Sequence, residues 1–316
     1  MKTFCGSFVL LLISALSLTA DVKFTSQPHE ISVEIDDKPF TVLYLAPDGN
    51  KPYLYPLRTA TGAVVTRPLV QEKVAGETKD HPHHRGMFFS FGDVNGVNFW
   101  ATEPTSTATN NGKMVLKKVI ETKGGRKTGT IQAVFDGLDP QGKAIMTESR
   151  TWIFYSEPQL RVIDFEIEIT ALEKLKFGDT KEGTFGIRLA TSISEAKGLG
   201  GKMVSAEGAE TEKNVWGKRS PWVDYSGPVD GKTVGVAIMD HPSNPRYPTY
   251  WHSRAYGLFA ANIVGVHDFE NDKTKDGSLT LLAGKTLHFY YRVVIHPGDV
   301  RAADIAGLYK KFISKK

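Results

Sequence analysis

The segment Leu160-Arg-Val-Ile-Asp-Phe-Glu-Ile-Glu-Ile169 sets Ile163, Phe165, Ile167 and Ile169 on one side of an extended chain and Asp164, Glu166 and Glu168 on the other. Successive side chains of a strand point to opposite faces, so this period of two describes a strand with one face in a core and one in polar surroundings. Residues 286–296 repeat the pattern: Leu287, Phe289, Tyr291, Val293 and Ile295 alternate with His288, Tyr290 and Arg292. Further strands are expected at 31–35, 40–45, 87–91, 114–121, 129–136, 145–155, 184–191, 233–239 and 256–264. Turn chemistry such as Gly124-Gly125, Asp139-Pro-Gln-Gly142 and Asp230-Gly231 separates many of them. One helix is expected, over 299–313 and packed on a sheet edge or end. Pro297-Gly298 closes the last strand, Asp299 is a suitable cap, and Ile305, Leu308, Tyr309 and Phe312 recur at helical spacing.

Strands without intervening helices exclude a doubly wound α/β fold. They predict an all-β protein, a large antiparallel β-sandwich with a short C-terminal helix. No internal repeat and no low-complexity linker breaks residues 25–296, so 21–316 reads as one domain, with 101–113 and 195–221 as its long loops.

Across 316 residues, 41% are hydrophobic and 23% charged, enough for a substantial core, which excludes disorder, collagen and a disulfide scaffold. Residues 1–20 read as a secretory signal peptide, with Lys2 ahead of the apolar run Phe8–Leu18 and Ala20 before the cleavage point. That run is too short to cross a bilayer, so export to the periplasm or beyond is expected and a membrane span is not. The only cysteine, Cys5, lies inside this segment, which leaves the mature chain without thiol chemistry. Removing residues 1–20 lowers the formal net charge from +4 to +3, far from the basic excess of a nucleic-acid binder.

Four stretches concentrate chemistry. Asp80-His81-Pro82-His83-His84-Arg85-Gly86 packs three of the nine histidines into four positions, on a loop ahead of strand 87–91. Imidazoles at a sheet rim suit proton transfer and hydrogen bonding. The same residues also fit a polar turn, or a metal site that needs a third ligand from elsewhere in the chain. Gly92-Asp93-Val94-Asn95-Gly96-Val97-Asn98-Phe99-Trp100 offers Asp93 and Asn95 to sugar hydroxyls and Trp100 to a sugar face, although Asn-Gly is equally a turn signal. In Lys181–Ala190 a period of two puts Glu182, Thr184, Gly186 and Arg188 on one face, with Arg188 placed to keep Glu182 ionised. Residues 240–257 are the densest polar and aromatic run: Asp240, His241, Trp251, His252, Arg254 and Tyr256 lie in a stretch that three prolines hold extended. No phosphate loop, dinucleotide glycine fingerprint, Gly-x-Ser-x-Gly elbow or zinc-protease helix motif occurs, so no organic cofactor is expected.

HPHHRG with GDVNGVNFW downstream, then KEGTFGIRLA, DHPSNPRYPTYWHSRAYG and FYYRVVIHPG, resemble a bacterial secreted family of unknown function often labelled "methane oxygenase PmoA". The label sits badly with the sequence, because a membrane monooxygenase subunit needs apolar spans of about twenty residues and none follows residue 20. The family is similar in architecture to the galactose-mutarotase-like supersandwich of aldose epimerases, polysaccharide lyases and glycoside hydrolases. The resemblance implies a sugar on a concave sheet with a His acid and a carboxylate base. Carried onto this chain it marks His81, His83, His84, Arg85, Glu182, Arg188, Asp240, His241, His252, Arg254 and Tyr256.

The expectation is therefore an exported carbohydrate-active enzyme of epimerase, hydrolase or lyase type without organic cofactor or metal. His84 or His252 would serve as acid and Glu182 or Asp240 as base, all converging on one site. The alternative is a non-catalytic glycan-binding module that stacks sugars on Trp100, Trp222 and Trp251.

Overall fold

A computed structural model of the chain describes residues 21–46, 51–103 and 106–314. The expected signal peptide lies outside these residues. The first strands are β1 (Val22–Gln27), β2 (Glu30–Ile35), β3 (Lys38–Tyr44), β4 (Tyr53–Leu54) and β5 (Met87–Phe91). Long strands follow: β6 (Lys113–Lys123), β7 (Thr128–Leu138), β8 (Ala144–Ser156) and β9 (Arg161–Ala171). Next come β10 (Leu175–Phe177), β11 (Gly183–Arg188), β12 (Lys202–Ser205), β13 (Trp222–Val229) and β14 (Lys232–Asp240). The last are β15 (Tyr250–Ser253), β16 (Leu258–Asn262), β17 (Leu279–Leu281) and β18 (Thr286–Pro297). Helices are α1 (Glu212–Val215), α2 (Val266–Phe269) and α3 (Ile305–Ile313), the first two single turns.

The strands build two antiparallel eight-stranded sheets, ordered β1-β2-β3-β4-β5-β11-β16-β15 and β12-β13-β14-β18-β9-β8-β7-β6, with β10 and β17 as a separate pair. The protein is a large antiparallel β-sandwich. The two segments with the strongest alternation, β9 and β18, pair in the middle of the second sheet, Phe165 opposite Tyr291 and Ile167 opposite Phe289. Their apolar faces meet the first sheet: the Phe165 ring lies 5.4 Å from Phe185, and Tyr291 stacks on Phe185 at 4.8 Å. One continuous apolar cluster fills the space between the sheets.

The outer faces differ. That of the second sheet exposes Val162, Ala237, Met239 and Val294 to α3, whose Ile305, Tyr309 and Phe312 cover them. The helix thus lies on a sheet face rather than at an edge or end, because those apolar side chains need cover. It also starts later than 299. Asp299 accepts hydrogen bonds from the amides of Arg301 and Ala302, which closes a turn, and Asp304 is the cap, its carboxylate accepting from the Gly307 amide at 3.1 Å. Asp304→Ala is expected to lower stability by about 1 kcal/mol, measured by urea unfolding.

Among the described residues the outer face of the first sheet carries only the single turn α2, whose Phe269 packs on Tyr250 and His252 at the β15 end. A single row of register partners crosses it: Tyr53, Phe88, Gly186, Ala260 and His252. The two smallest side chains lie in the middle, so the row dips between aromatic groups at its ends, a trough whose five floor residues are themselves buried. No helix among the described residues is long and apolar enough to cross a membrane.

Candidate functional site

The turn before β5 overhangs this trough. Buried Arg67 holds it, donating to the carbonyl oxygens of Asp80, His81 and His84, the last two at 3.1 Å. His81 adopts a left-handed φ of 47°, an uncommon conformation for a non-glycine residue and one that clusters at functional sites. Gly86 leaves the turn at φ 51°, where a Cβ would stand 2.1 Å from the Leu54 carbonyl oxygen. Only glycine lets the turn descend onto β4 there.

Four near-parallel rings result. Tyr256 stacks on His81 (5.2 Å, 3°), His81 on His84 (4.9 Å, 2°) and His84 on Phe88 (5.9 Å, 14°). The stack runs from β5 to the tip of the β15–β16 hairpin, where residues 254–257 form the turn. Arg188, fully buried on β11, places its guanidinium 4.7 Å from the Tyr256 ring and donates to both carboxylate oxygens of Asp80 at 2.8 and 3.0 Å. Burial pushes the Asp80 carboxyl up, but hydrogen bonds from Arg188 and His81 outweigh it and hold the group well below the usual carboxylate range. Asp80 Oδ2 lies 2.5 Å from His81 Nδ1. An ionised carboxylate only accepts, so Nδ1 carries a proton, and in the neutral ring the lone pair is then on Nε2. The His81 side chain is 43% exposed.

The other two imidazoles of the motif are buried. His83 lies 3.4 Å from Glu103 Oε2, and burial, with Lys51 nearby, lowers its pKa to about 3. His84 Nδ1 faces Arg188 Nη1 at 3.4 Å; burial and the neighbouring His83 and Arg188 hold its pKa well below the ordinary value. At the far end of the trough, His252 Nδ1 accepts from the Trp216 indole N–H at 3.3 Å. Burial, then Arg254 and Lys181, lower its pKa to about 3. All three rings are neutral at pH 7 and act as N–H donors.

Three of the four sequence stretches therefore converge. His81, His83, His84, Arg188, His252, Arg254 and Tyr256 surround one trough, and the charge of Glu182 reaches Tyr256. Arg85 flanks the site, its guanidinium 5.5 Å from the Tyr53 ring. The expected Glu182–Arg188 pair does not form: Glu182 pairs with Lys181 at 2.9 Å, and Asp80 takes its place on Arg188. Trp100 stands under the site with its ring 5.6 Å from His84, but it is 0% exposed.

The remaining candidates lie elsewhere. Asp93 accepts from the Gly96 amide, and Asn95 bonds to Glu173, Lys174 and Lys176, so both fix a turn. Asp240 accepts from Asn244 and the Thr249 amide and anchors the 241–249 crossover, while burial raises its pKa to about 7. His241 packs on Tyr290 and Phe312 beneath α3. Trp251 is in the core with its N–H on the Ser220 carbonyl, and Trp222 lies under α3. Trp100, Trp222 and Trp251 are 0%, 7% and 0% exposed, so none presents a ring face to a sugar. Sequence reasoning missed Arg67, Glu103, Glu212 and Trp216. Glu212 pairs with Arg254 at 3.0 Å, and Trp216 is the partly exposed indole at the trough. Single residues in loops leave no periodic signal. Among the described residues no group of three or more His, Cys, Asp or Glu is placed to hold a metal ion.

A family model matches residues 30–310. The chain belongs to DUF6807, a family of unknown function. The family's description carries no methane-oxygenase label. No curated protein matches this DUF6807 chain in sequence. Among solved structures it is similar to an α-galactosidase from Lactobacillus brevis, at 8% identity and a TM-score of 0.42, covering 86% of this chain and 39% of that one. It is also similar to a galactose mutarotase-like protein from Clostridium acetobutylicum (10% identity, TM-score 0.42, 88% and 98% coverage). A third is galactose 1-epimerase from Lactobacillus acidophilus NCFM (7%, 0.42, 88% and 98%). The DUF6807 chain thus spans about two fifths of the α-galactosidase.

Proposed function

We propose that this protein is an exported carbohydrate-active enzyme that binds a sugar in the trough and moves a proton through the Asp80–His81 pair. The observation that carries this reading is His81 itself: Nδ1 is committed to an ionised Asp80, the ring is clamped between Tyr256 and His84, and the side chain is accessible, which leaves Nε2 to exchange a proton with a ligand. A base oriented by a carboxylate and aimed at a polar cleft is the arrangement general acid–base catalysis requires. The N–H donors His252 and His84 and the guanidinium of Arg254 suit the oxygens of a sugar. The half-buried faces of Tyr256 and Trp216 suit its apolar side. Epimerisation, glycoside hydrolysis and lyase chemistry all begin with such a proton transfer.

Turnover on a panel of free aldoses, aryl glycosides and oligosaccharides tests the reading. Change in at least one substrate, abolished in His81→Ala, is the expected result. Binding without turnover across the panel supports the glycan-binding reading instead, which the neutrality of His83, His84 and His252 favours. Gly186 gives a further check. A Cβ there meets Phe88 at 3.2 Å and Ala260 at 3.5 Å, a fit that needs only a small shift, so Gly186→Ala is expected to fold with stability changed by less than about 1 kcal/mol. Ligand affinity, followed by calorimetry, is expected to fall because the methyl group fills the trough floor.

A further inference from the structure

We propose that the His84–Trp100 donor pair beside the His83–Arg85 turn takes a carboxylate, so that the sugar bound in the trough is an acidic one of the uronate type; the inference rests on the sugar-site reading above. The argument starts from proton positions. A guanidinium only donates, so His84 Nδ1, facing Arg188, is the accepting nitrogen and Nε2 carries the ring proton. His84 is 2% exposed and its Nε2 is buried without a hydrogen-bond partner among the described residues. Trp100 is 0% exposed, its indole nitrogen can only donate, and it too is buried without a partner among the described residues. The two rings meet edge to face at 5.6 Å, and both pack on Phe88, at 5.9 and 5.0 Å.

Buried polar groups are normally satisfied, so two adjacent donors left over call for an outside acceptor. The same cluster holds two more unpartnered buried donors, Nε of Arg67 and Nε of Arg188, against one unpartnered acceptor, Glu103 Oε2. A hydroxyl brings its own hydrogen and relieves such an excess poorly, whereas a carboxylate brings acceptors only. Cationic groups surround the place. Lys51 Nζ donates to the Trp100 carbonyl at 2.5 Å and stands 5.3 Å from the Phe88 ring, and Arg85 lies over Tyr53. Glu103, beside His83, opposes an incoming anion, whereas the nearby Asp80 is already paired with Arg188.

Calorimetric titration of the full chain with D-glucuronate, D-galacturonate, their hexose counterparts, oligosaccharides of each, and acetate decides the matter. At least one uronate ligand is expected to bind ten-fold or more tightly than its hexose counterpart. Trp100→Phe removes the N–H and keeps an aromatic ring, and is expected to cut that preference at least five-fold. Glu103→Gln removes the opposing charge and is expected to raise the preference several-fold, an increase that damage to the fold does not produce. Hexose and uronate bound equally well overturns the carboxylate pocket and leaves the sugar site standing. Unchanged preference in both variants also overturns it. No sugar bound, with or without acetate, overturns both.

Discussion

Acidification from pH 7 toward pH 4 is expected to unfold the protein, through three imidazoles that are neutral when folded. His83 and His252 titrate at about 3, and His84 well below its ordinary value, because burial penalises the charged ring. In the unfolded chain all three take up protons near pH 6.5. Between those limits the unfolded state binds more protons, so stability rises with pH across the window and is lost as pH falls. Each histidine adds about 1.4 kcal/mol per pH unit to the slope near pH 5. Asp240 acts with the opposite sign. Its carboxyl, raised by burial to about 7, stays protonated when folded while the unfolded group ionises near 3.8. It therefore subtracts a similar amount over that window, and folding loses stability as pH rises through it. Thermal melts from pH 4 to 8 measure the slope. His252→Asn, which keeps an acceptor for Trp216, is expected to flatten it by about 1.4 kcal/mol per pH unit, and Asp240→Asn to steepen it by the same amount. Unchanged slopes in both variants would show that these groups are solvated as in the unfolded chain.

Asp80→Asn is expected to lower kcat by about 10²–10⁴-fold with a much smaller change in KM, once a substrate is in hand. An amide opposite His81 Nδ1 no longer demands a proton there, so the ring is free to place it on Nε2 and lose the outward lone pair. Asn also strips the buried Arg188 of its counter-charge. The substitution therefore carries a stability loss, moderated by the partial exposure of Asp80, which is 37%. Thermal melts beside the kinetics separate the two effects, because loss of orientation lowers kcat in a protein that stays folded at the assay temperature while mere loosening lowers the melting temperature with it. A double variant with His81→Ala is expected to be no slower than His81→Ala alone, as for residues that act as a unit. Independent, multiplying losses would count against the pair.

The strands with strict alternation were the legible part of the fold. Residues 87–91 match β5 to the residue, and 145–155 and 286–296 match β8 and β18 to within one residue at each end. Along β8 and β18 one face is apolar and the other largely polar, so periodicity survives in the sequence, whereas β5 is legible as a short apolar run. The missed strands are different. β13 is mostly buried along its length and β4 has two residues, so neither leaves a period of two. The tip of the β15–β16 hairpin was read as strand because His252, Arg254 and Tyr256 alternate, yet residues 254–257 turn and still present these groups to the trough.

The site was half legible for the same reason. Clustered histidines announce themselves, and Arg188 follows from its place opposite Phe185 and Ile187. Which carboxylate Arg188 meets is a long-range fact, 108 positions away in Asp80, and local spacing pointed to Glu182 instead. Asp240 and His241 share a stretch with His252 but lie beyond a proline-rich crossover, on the other sheet. Composition cannot register that change of side.

The row Phe88, Gly186, Ala260 and His252 interleaves with Phe89, Phe185, Ile187, Phe259 and Ala261, which face the interior. Floor and foundation are thus written in alternate letters of the same short strands. Substitutions confined to the even-numbered positions 186, 252 and 260 reshape what the trough accepts without entering the packing between the two sheets. A combinatorial library restricted to those three codons is a direct route to altered ligand preference.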